Sequence, residues 1–261
     1  MINYTLITGA SGGIGYELAK LFAKENHNLV LIARNEKKLA ELKTQIQKQY
    51  SVNVLLLNKD LIEPEAPVQI FNYLRQQNIR VENLINNAGF GDYGLFHESD
   101  RNVQERMLLL NIVALTNLTQ LFLSEMVKSG KGKILNLASV AAFMPGPYMS
   151  VYYATKAYVL SFSEALASEL EGTGVSVTVL CPGPTKTGFE EASSLSDSNL
   201  FKIMHVASAK EVAIYGYKAM MKGKKIAIHG ILNRILVKLI SITPRPLVNY
   251  FIRIILGKTK K

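Results

Sequence analysis

Tyr152 and Lys156 stand four residues apart in the segment Tyr152-Tyr153-Ala154-Thr155-Lys156. On a helix such a pair shares one face. A free phenol, with a pKa of about 10, exchanges protons poorly at neutral pH, and an adjacent ammonium stabilises phenolate and lowers that value. The pair reads as an acid–base device. Tyr153, three residues before Lys156, meets the same spacing rule, so helix geometry alone leaves two candidate phenols.

A second constellation is Thr8-Gly9-Ala10-Ser11-Gly12-Gly13-Ile14-Gly15, between an apolar run and an amphipathic stretch. Glycines there allow a tight turn and let the backbone approach a pyrophosphate, whose charge a helix N-terminus favours. Gly9, Gly13 and Gly15 fit G-x-x-x-G-x-G, and the strand–loop–helix order points to a dinucleotide site. The letters Gly9-Ala10-Ser11-Gly12-Gly13 also fit G-x-S-x-G, the nucleophile elbow of α/β hydrolases, with Ser11 as nucleophile. That alternative needs an acid and then a late histidine, for which only His205 and His229 come far enough along. It also needs strands ahead of the loop, and none precede it. Dinucleotide sites that take NAD carry an acid about 20 residues on, at the end of the second strand. Here that strand ends Ile32-Ala33-Arg34-Asn35, with Lys37 and Lys38 behind it. A guanidinium pairs a 2′-phosphate where a carboxylate would repel it, so NADP(H) is expected. Asp60, ending the third strand, is placed to accept from the adenine amino group.

Short apolar runs alternate with longer amphipathic ones. Strands are expected at 4–8, 29–33, 52–57, 84–86, 133–138, 175–180 and 225–228, and helices at 14–25, 36–49, 66–77, 102–128, 152–170 and 209–222. Strands of about five residues, apolar on both faces and separated by helices, specify a buried parallel sheet. Right-handed crossovers then give a three-layer, doubly wound α/β fold of about seven strands. Residues 1–230 show no composition break and are read as one domain. The irregular stretch Pro182–Val206 reads as a mobile flap.

Of the 261 residues, 48% are hydrophobic, and one is cysteine, Cys181. This composition excludes disorder, a disulfide scaffold and a cysteine-held metal; no metal site is expected. No run of about 18 uninterrupted apolar residues and no charged leader before Tyr4–Ile7 occur, so a cytoplasmic protein is expected. The net charge is +10, but its location matters more than its size. Met1–Glu211 carries 19 Lys and Arg against 20 Asp and Glu; Val212–Lys261 carries 11 and no acid. Residues 231–261 read as an extension with helices at 231–242 and 247–256, broken by Pro244 and Pro246. Each helix, about 15–18 Å long, is too short to cross a bilayer core of about 30 Å. Packing against protein, as a cap on a pocket or in a subunit interface, and peripheral contact with an anionic membrane both fit this pattern. Nucleic acid does not, because the basic residues alternate with aliphatics.

Four motifs agree in order and spacing with one family: the glycine loop, Asn86-Asn87-Ala88-Gly89, Ser139 at the end of the fifth strand, and Tyr152…Lys156. A fifth, Pro182-Gly183-Pro184-Thr185-Lys186-Thr187, resembles the family segment beside the nicotinamide. Over about residues 1–230 the chain resembles the short-chain dehydrogenases/reductases, whose fold is of the Rossmann type. The resemblance implies an NADP(H)-dependent oxidoreductase interconverting a ketone or aldehyde and an alcohol. It selects Tyr152 over Tyr153 as proton carrier, gives the substrate oxygen to Ser139 and the nicotinamide ribose to Lys156, and has Asn111 position a water in the relay. It places the cofactor along Gly9, Ser11, Gly13, Ile14 and Gly15, then Arg34, Asn35, Asp60 and Leu61. Asn87, Ala88, Gly89, Pro182, Gly183, Thr185 and Thr187 complete that set, with Asn86 bracing neighbouring strands. Phe143, Met144, Pro147, Tyr148, Met149 and Phe189 form an apolar candidate wall, which with Ser139 and Tyr152 suits a hydrophobic carbonyl such as a 3-oxoacyl chain, a lipid or a sterol. A homodimer or homotetramer pairing the apolar stretch 108–123 is implied as well. The competing class is a non-catalytic NADPH-binding or interaction protein on the same fold.

Overall fold

The structure, a computed structural model, describes residues 2–189 and 206–257. Six strands, β1 (Ile2–Thr8), β2 (Asn28–Ala33), β3 (Val54–Asn58), β4 (Ile79–Asn86), β5 (Gly132–Leu137) and β6 (Val175–Cys181), join a later strand, β9 (Ile226–Ile228), in one sheet. Its order is β3-β2-β1-β4-β5-β6-β9 with every pairing parallel. The seven-stranded doubly wound sheet expected from the alternating pattern is therefore present.

Alternate residues of each strand feed two cores. On one face Ile7, Leu29, Leu31 and Leu135 pack under α1 (Gly13–Lys24), α2 (Glu36–Gln49) and a later helix, α6 (Ala209–Met221). On the other, Leu6, Val30, Ile32 and Ile134 pack under α3 (Ala66–Gln76), α4 (Arg101–Lys128) and the end of α5 (Ser150–Glu169). Both faces are covered, which is why the strands lack the polar alternation of a one-sided sheet. β4 begins five residues before the expected Leu84. Arg80 and Glu82 interrupt its apolar run at the sheet's rim, yet Ile79 and Arg80 pair with Ile2 and Asn3.

Among the described residues α4 is the one helix long and apolar enough to cross a membrane by length and composition. Its Leu115, Leu118, Phe122 and Met126 are buried, the packing of a core helix. At Leu109–Ala114 its ladder widens into a π segment. Such bulges insert a residue and occur mostly at functional sites.

Two short strands not anticipated, β7 (Thr185–Lys186) and β8 (Ala207–Ser208), pair in parallel. They bracket most of the expected flap, whose residues 190–205 lie outside the described residues. The chain closes with α7 (Ile231–Ile242) and α8 (Arg245–Leu256). α8 starts two residues before the expected Leu247, because Pro246 falls in its first turn, where a missing N–H costs nothing.

The turn into α1 is tightly built. A Cβ on Gly15 would stand 2.5 Å from the Gly9 carbonyl oxygen and 2.5 Å from Asn87 Nδ2. The oxygen is backbone and cannot yield, so Gly15→Ala is expected to destabilise the protein by about 1–3 kcal/mol, read as a lower urea midpoint.

Candidate active site

The order reverses between β1 and β4, and the chain leaves the carboxyl ends of both strands there. In such sheets this crevice takes ligands. One cleft of about 370 Å³ runs from the glycine loop past Gly89, Ser139, Tyr152 and Lys156 to the last turn of α8.

At its nucleotide end, Asn87 staples two strand exits together: Nδ2 donates to the Thr8 and Gly9 carbonyls at 2.9 and 3.2 Å. The Thr8 hydroxyl accepts from the Asn87 and Ala88 amides at 2.9 and 3.0 Å. Gly9 has φ of +66° and Gly13 +55°, conformations an L side chain resists. Gly12, the residue before α1, supplies no side-chain cap, and Gly12, Gly13 and Ile14 line the cleft. Uncapped amides facing a cleft at a helix N-terminus suit a pyrophosphate, so these residues fit a dinucleotide.

Other expected cofactor residues divide. Thr187 reaches Gly13, where a Cβ would meet its own at 2.9 Å; Pro182, Gly183 and Thr185 also line the cleft. Ser11 is half-buried in the loop. Asn35 caps α2, its Oδ1 accepting from the Lys38 amide at 2.9 Å, and Leu61 is buried in the core. Arg34 is largely exposed, 3.8 Å from Asp60. Asp60 is also 3.6 Å from Arg106, near the start of α4. Sequence reasoning missed Arg106, because nothing local announces a contact spanning a strand exit and a distant helix.

At the other end, Ser139 caps a 3₁₀ turn, Val140–Phe143, accepting from the Ala141 amide at 3.1 Å and facing Tyr152. Lys156 is 6% exposed; its Nζ donates to the Leu137 carbonyl at 2.9 Å and lies 5.6 Å from the Tyr152 ring centre. Asn111, in the π segment, is buried. Its Oδ1 accepts from the Phe90 amide at 3.1 Å, and its Nδ2 donates to the Phe90 carbonyl at 2.9 Å and to Thr155 Oγ1 at 3.1 Å. Thr155 in turn donates to the Tyr152 carbonyl at 2.7 Å. Asn111 therefore fixes the loop after β4 against the helix that carries the phenol. Asn86 braces strands as expected, donating to Thr119 and Asn136 at 2.9 Å each.

Burial reverses one expectation. The Tyr152 phenol is pushed up to about 12 by burial, against a smaller pull down from the Ser139 hydroxyl. Desolvation, which disfavours the charged phenolate, is the dominant influence. Burial likewise pushes Lys156 down to about 8. Tyr153 is buried among Met149, Val248, Ile252 and Leu256, and its phenol is raised by burial as well. Cys181, pushed up to about 12 by burial, is a core thiol.

Met149 and Phe189 line the cleft as expected, and the Phe189 ring lies 5.2 Å from that of Tyr152. Phe143 does not. The 3₁₀ turn directs it onto the core cluster of Leu115, Ala138 and Val159, whereas Met144, also expected, does line the cleft; Pro147 and Tyr148 are not among the lining residues. Leu236 of α7 and Ile252, Ile255 and Leu256 of α8 close the apolar end as a roof, the pocket-capping form of protein packing that the extension's pattern allowed. Tyr93 donates to the Leu256 carbonyl at 2.6 Å and ties that roof to the body. Val248, Ile252 and Leu256, spaced i, i+4, form the buried face of α8.

The chain is 35% identical over 194 residues to a protein named sulfoacetaldehyde reductase 2, from Chromohalobacter salexigens, covering 72% of this chain and 75% of that one. It is 32% identical over 184 residues to the human very-long-chain 3-oxoacyl-CoA reductase, covering 69% of this chain and 58% of that protein's length. A short-chain dehydrogenase from Sphingobium yanoikuyae, solved in complex with NADPH, superposes with a TM-score of 0.81 at 31% identity, over 94% of this chain and 97% of that one. The elbow reading of Ser11 falls with these likenesses. The family model described as short chain dehydrogenase matches residues 3–197, and the chain belongs to the short-chain dehydrogenase/reductase family, as an oxidoreductase acting on CH–OH groups.

Proposed function

We propose that the protein is an NADP(H)-dependent reductase of a hydrophobic ketone or aldehyde. The observation that carries this reading is the convergence of Ser139, Tyr152 and Lys156 on an apolar cleft that continues into an uncapped helix N-terminus. The exposed Arg34 at the end of β2, where an acid would favour NAD, supports NADP(H). So does the solved relative, whose bound coenzyme is NADPH.

A bound nicotinamide coenzyme supplies the hydride; the remaining steps belong to this chain. Ser139 Oγ holds the substrate oxygen. Tyr152, neutral at pH 7 because its pKa lies near 12, donates the phenolic proton to that oxygen as negative charge gathers on it. An alkoxide is more basic than a phenolate even when the phenol is raised to about 12, so the transfer stays downhill, and the high pKa keeps the proton on Tyr152 at neutral pH. The buried Lys156 ammonium, held on Leu137, stabilises the phenolate left behind. Asn111 and Thr155 hold the phenol's helix in place. Met144, Met149, Phe189 and the roof of Leu236, Ile252, Ile255 and Leu256 exclude water and select apolar substrates.

Two measurements test this. NADPH oxidation over carbonyl compounds of graded chain length is expected to rise with apolar length; activity confined to small hydrophilic sugars overturns the substrate class. Because Lys156 carries its proton below about pH 8 and loses it above, kcat/KM for reduction is expected to be flat up to pH 8 and then to fall about tenfold per unit. A profile flat through pH 9.5 would remove the ammonium from the mechanism. Self-association is proposed through the outer faces of α4 and α5, where Leu108, Val113 and Tyr158 are exposed. Light scattering that gives a monomer mass rejects it.

A further inference from the structure

Half of the large apolar side chains exposed among the described residues sit in the last two helices. Each helix is divided into three sectors. In α7 the exposed arc is Ile231, Leu232, Ile235, Leu239 and Ile242, while Leu236 points into the cleft. In α8 it is Leu247, Tyr250, Phe251 and Ile254, while Val248, Ile252 and Leu256 are buried. Helical spacing puts Lys238 along one edge of the first arc, and Arg253 beside Tyr250 at the edge of the second. Ile242 and Ile231 are 77% and 73% exposed, Tyr250 62%. Isolated exposed leucines need no explanation; nine such side chains on a 26-residue hairpin mark an interaction surface.

Charge identifies the occupant. Val212–Lys261 carries 11 Lys and Arg and no acid. Arg234 is committed to the body, donating to the Ile228 carbonyl and Tyr215 hydroxyl. Lys238, Arg245 and Arg253 have no carboxylate partner among the described residues. A second copy on this face would set each cation edge against another, whereas an anionic lipid headgroup layer neutralises them. At 12 residues each, about 18 Å, the helices lie along a surface rather than through it. Aromatic residues beside basic ones at the edge of an aliphatic arc suit the headgroup boundary.

We infer that the outer faces of α7 and α8 dock on an anionic lipid bilayer, so that the helices roofing the cleft are also the membrane-contacting ones. The docking does not rest on the reductase reading: it is measured as binding, with no turnover. The full chain is floated through a density gradient with vesicles of phosphatidylcholine alone or mixed with phosphatidylglycerol. It is expected to float with the mixed vesicles, with about tenfold less recovered when the salt is raised to screen the cations. The double variant Ile242→Glu, Phe251→Glu changes exposed side chains outside the cleft. It is expected to lose flotation at least about tenfold while keeping its melting temperature. A full chain that stays at the bottom of the gradient with anionic vesicles overturns the inference, as does a double variant that floats like the parent. A dimer that the double variant dissociates, with no flotation of the parent, assigns this face to a second copy instead.

Discussion

Tyr152→Phe is expected to lower kcat for carbonyl reduction by about a thousandfold, within the range that a positioned general acid contributes. The ring still fills its place against Phe189 and Tyr153, so the melting temperature should hold and NADPH fluorescence titration should give an unchanged Kd. The variant loses the proton and keeps the pocket. Tyr153→Phe supplies the contrast: that phenol is packed under the roof beside Val248 and Ile252, and kcat is expected to stay within a few-fold. If instead Tyr152→Phe turns over within a few-fold of the parent and Tyr153→Phe collapses, the proton travels through the neighbouring phenol. The spacing to Lys156 alone would have allowed that.

Arg34→Asp should reverse the coenzyme preference. A charge-assisted, bidentate pair with a 2′-phosphate contributes about 1.5–3 kcal/mol, and a carboxylate in its place adds repulsion. The ratio of kcat/KM for NADPH over NADH is therefore expected to fall by at least about 100-fold. The fold should be indifferent, because Arg34 is largely exposed and its 3.8 Å contact with Asp60 is a surface ion pair. Arg106, 3.6 Å from Asp60, stays to balance that carboxylate. Equal rates with NADH and NADPH in the unaltered protein would refute the coenzyme assignment before any substitution is made.

Legibility followed the range of the interactions. The alternation of apolar runs and amphipathic stretches carried the sheet and its helices, because burial on both faces leaves a local mark on every strand. The glycine loop and the Tyr152–Lys156 spacing were equally visible, being constraints within a few residues. What the sequence hid was set by partners far along the chain. Phe143 and Met144 were both expected at the wall, and only the direction of a 3₁₀ turn sends Phe143 to the core while Met144 stays at the cleft. The extension's apolar pattern allowed packing against protein without saying that α8 covers Tyr153. The expected lowering of the phenol pKa counted an ammonium but not the desolvation around it, and the larger effect won.

The π segment around Asn111 sets a limit on redesign. One surplus residue turns the second half of α4 by roughly a hundred degrees relative to the first. Removing that residue would yield a more regular rod in isolation, but it would swing Asn111 off Phe90 and Thr155. Thermostabilising this protein by regularising its longest rod is thus a trade of activity for rigidity, and engineers should look for gains elsewhere.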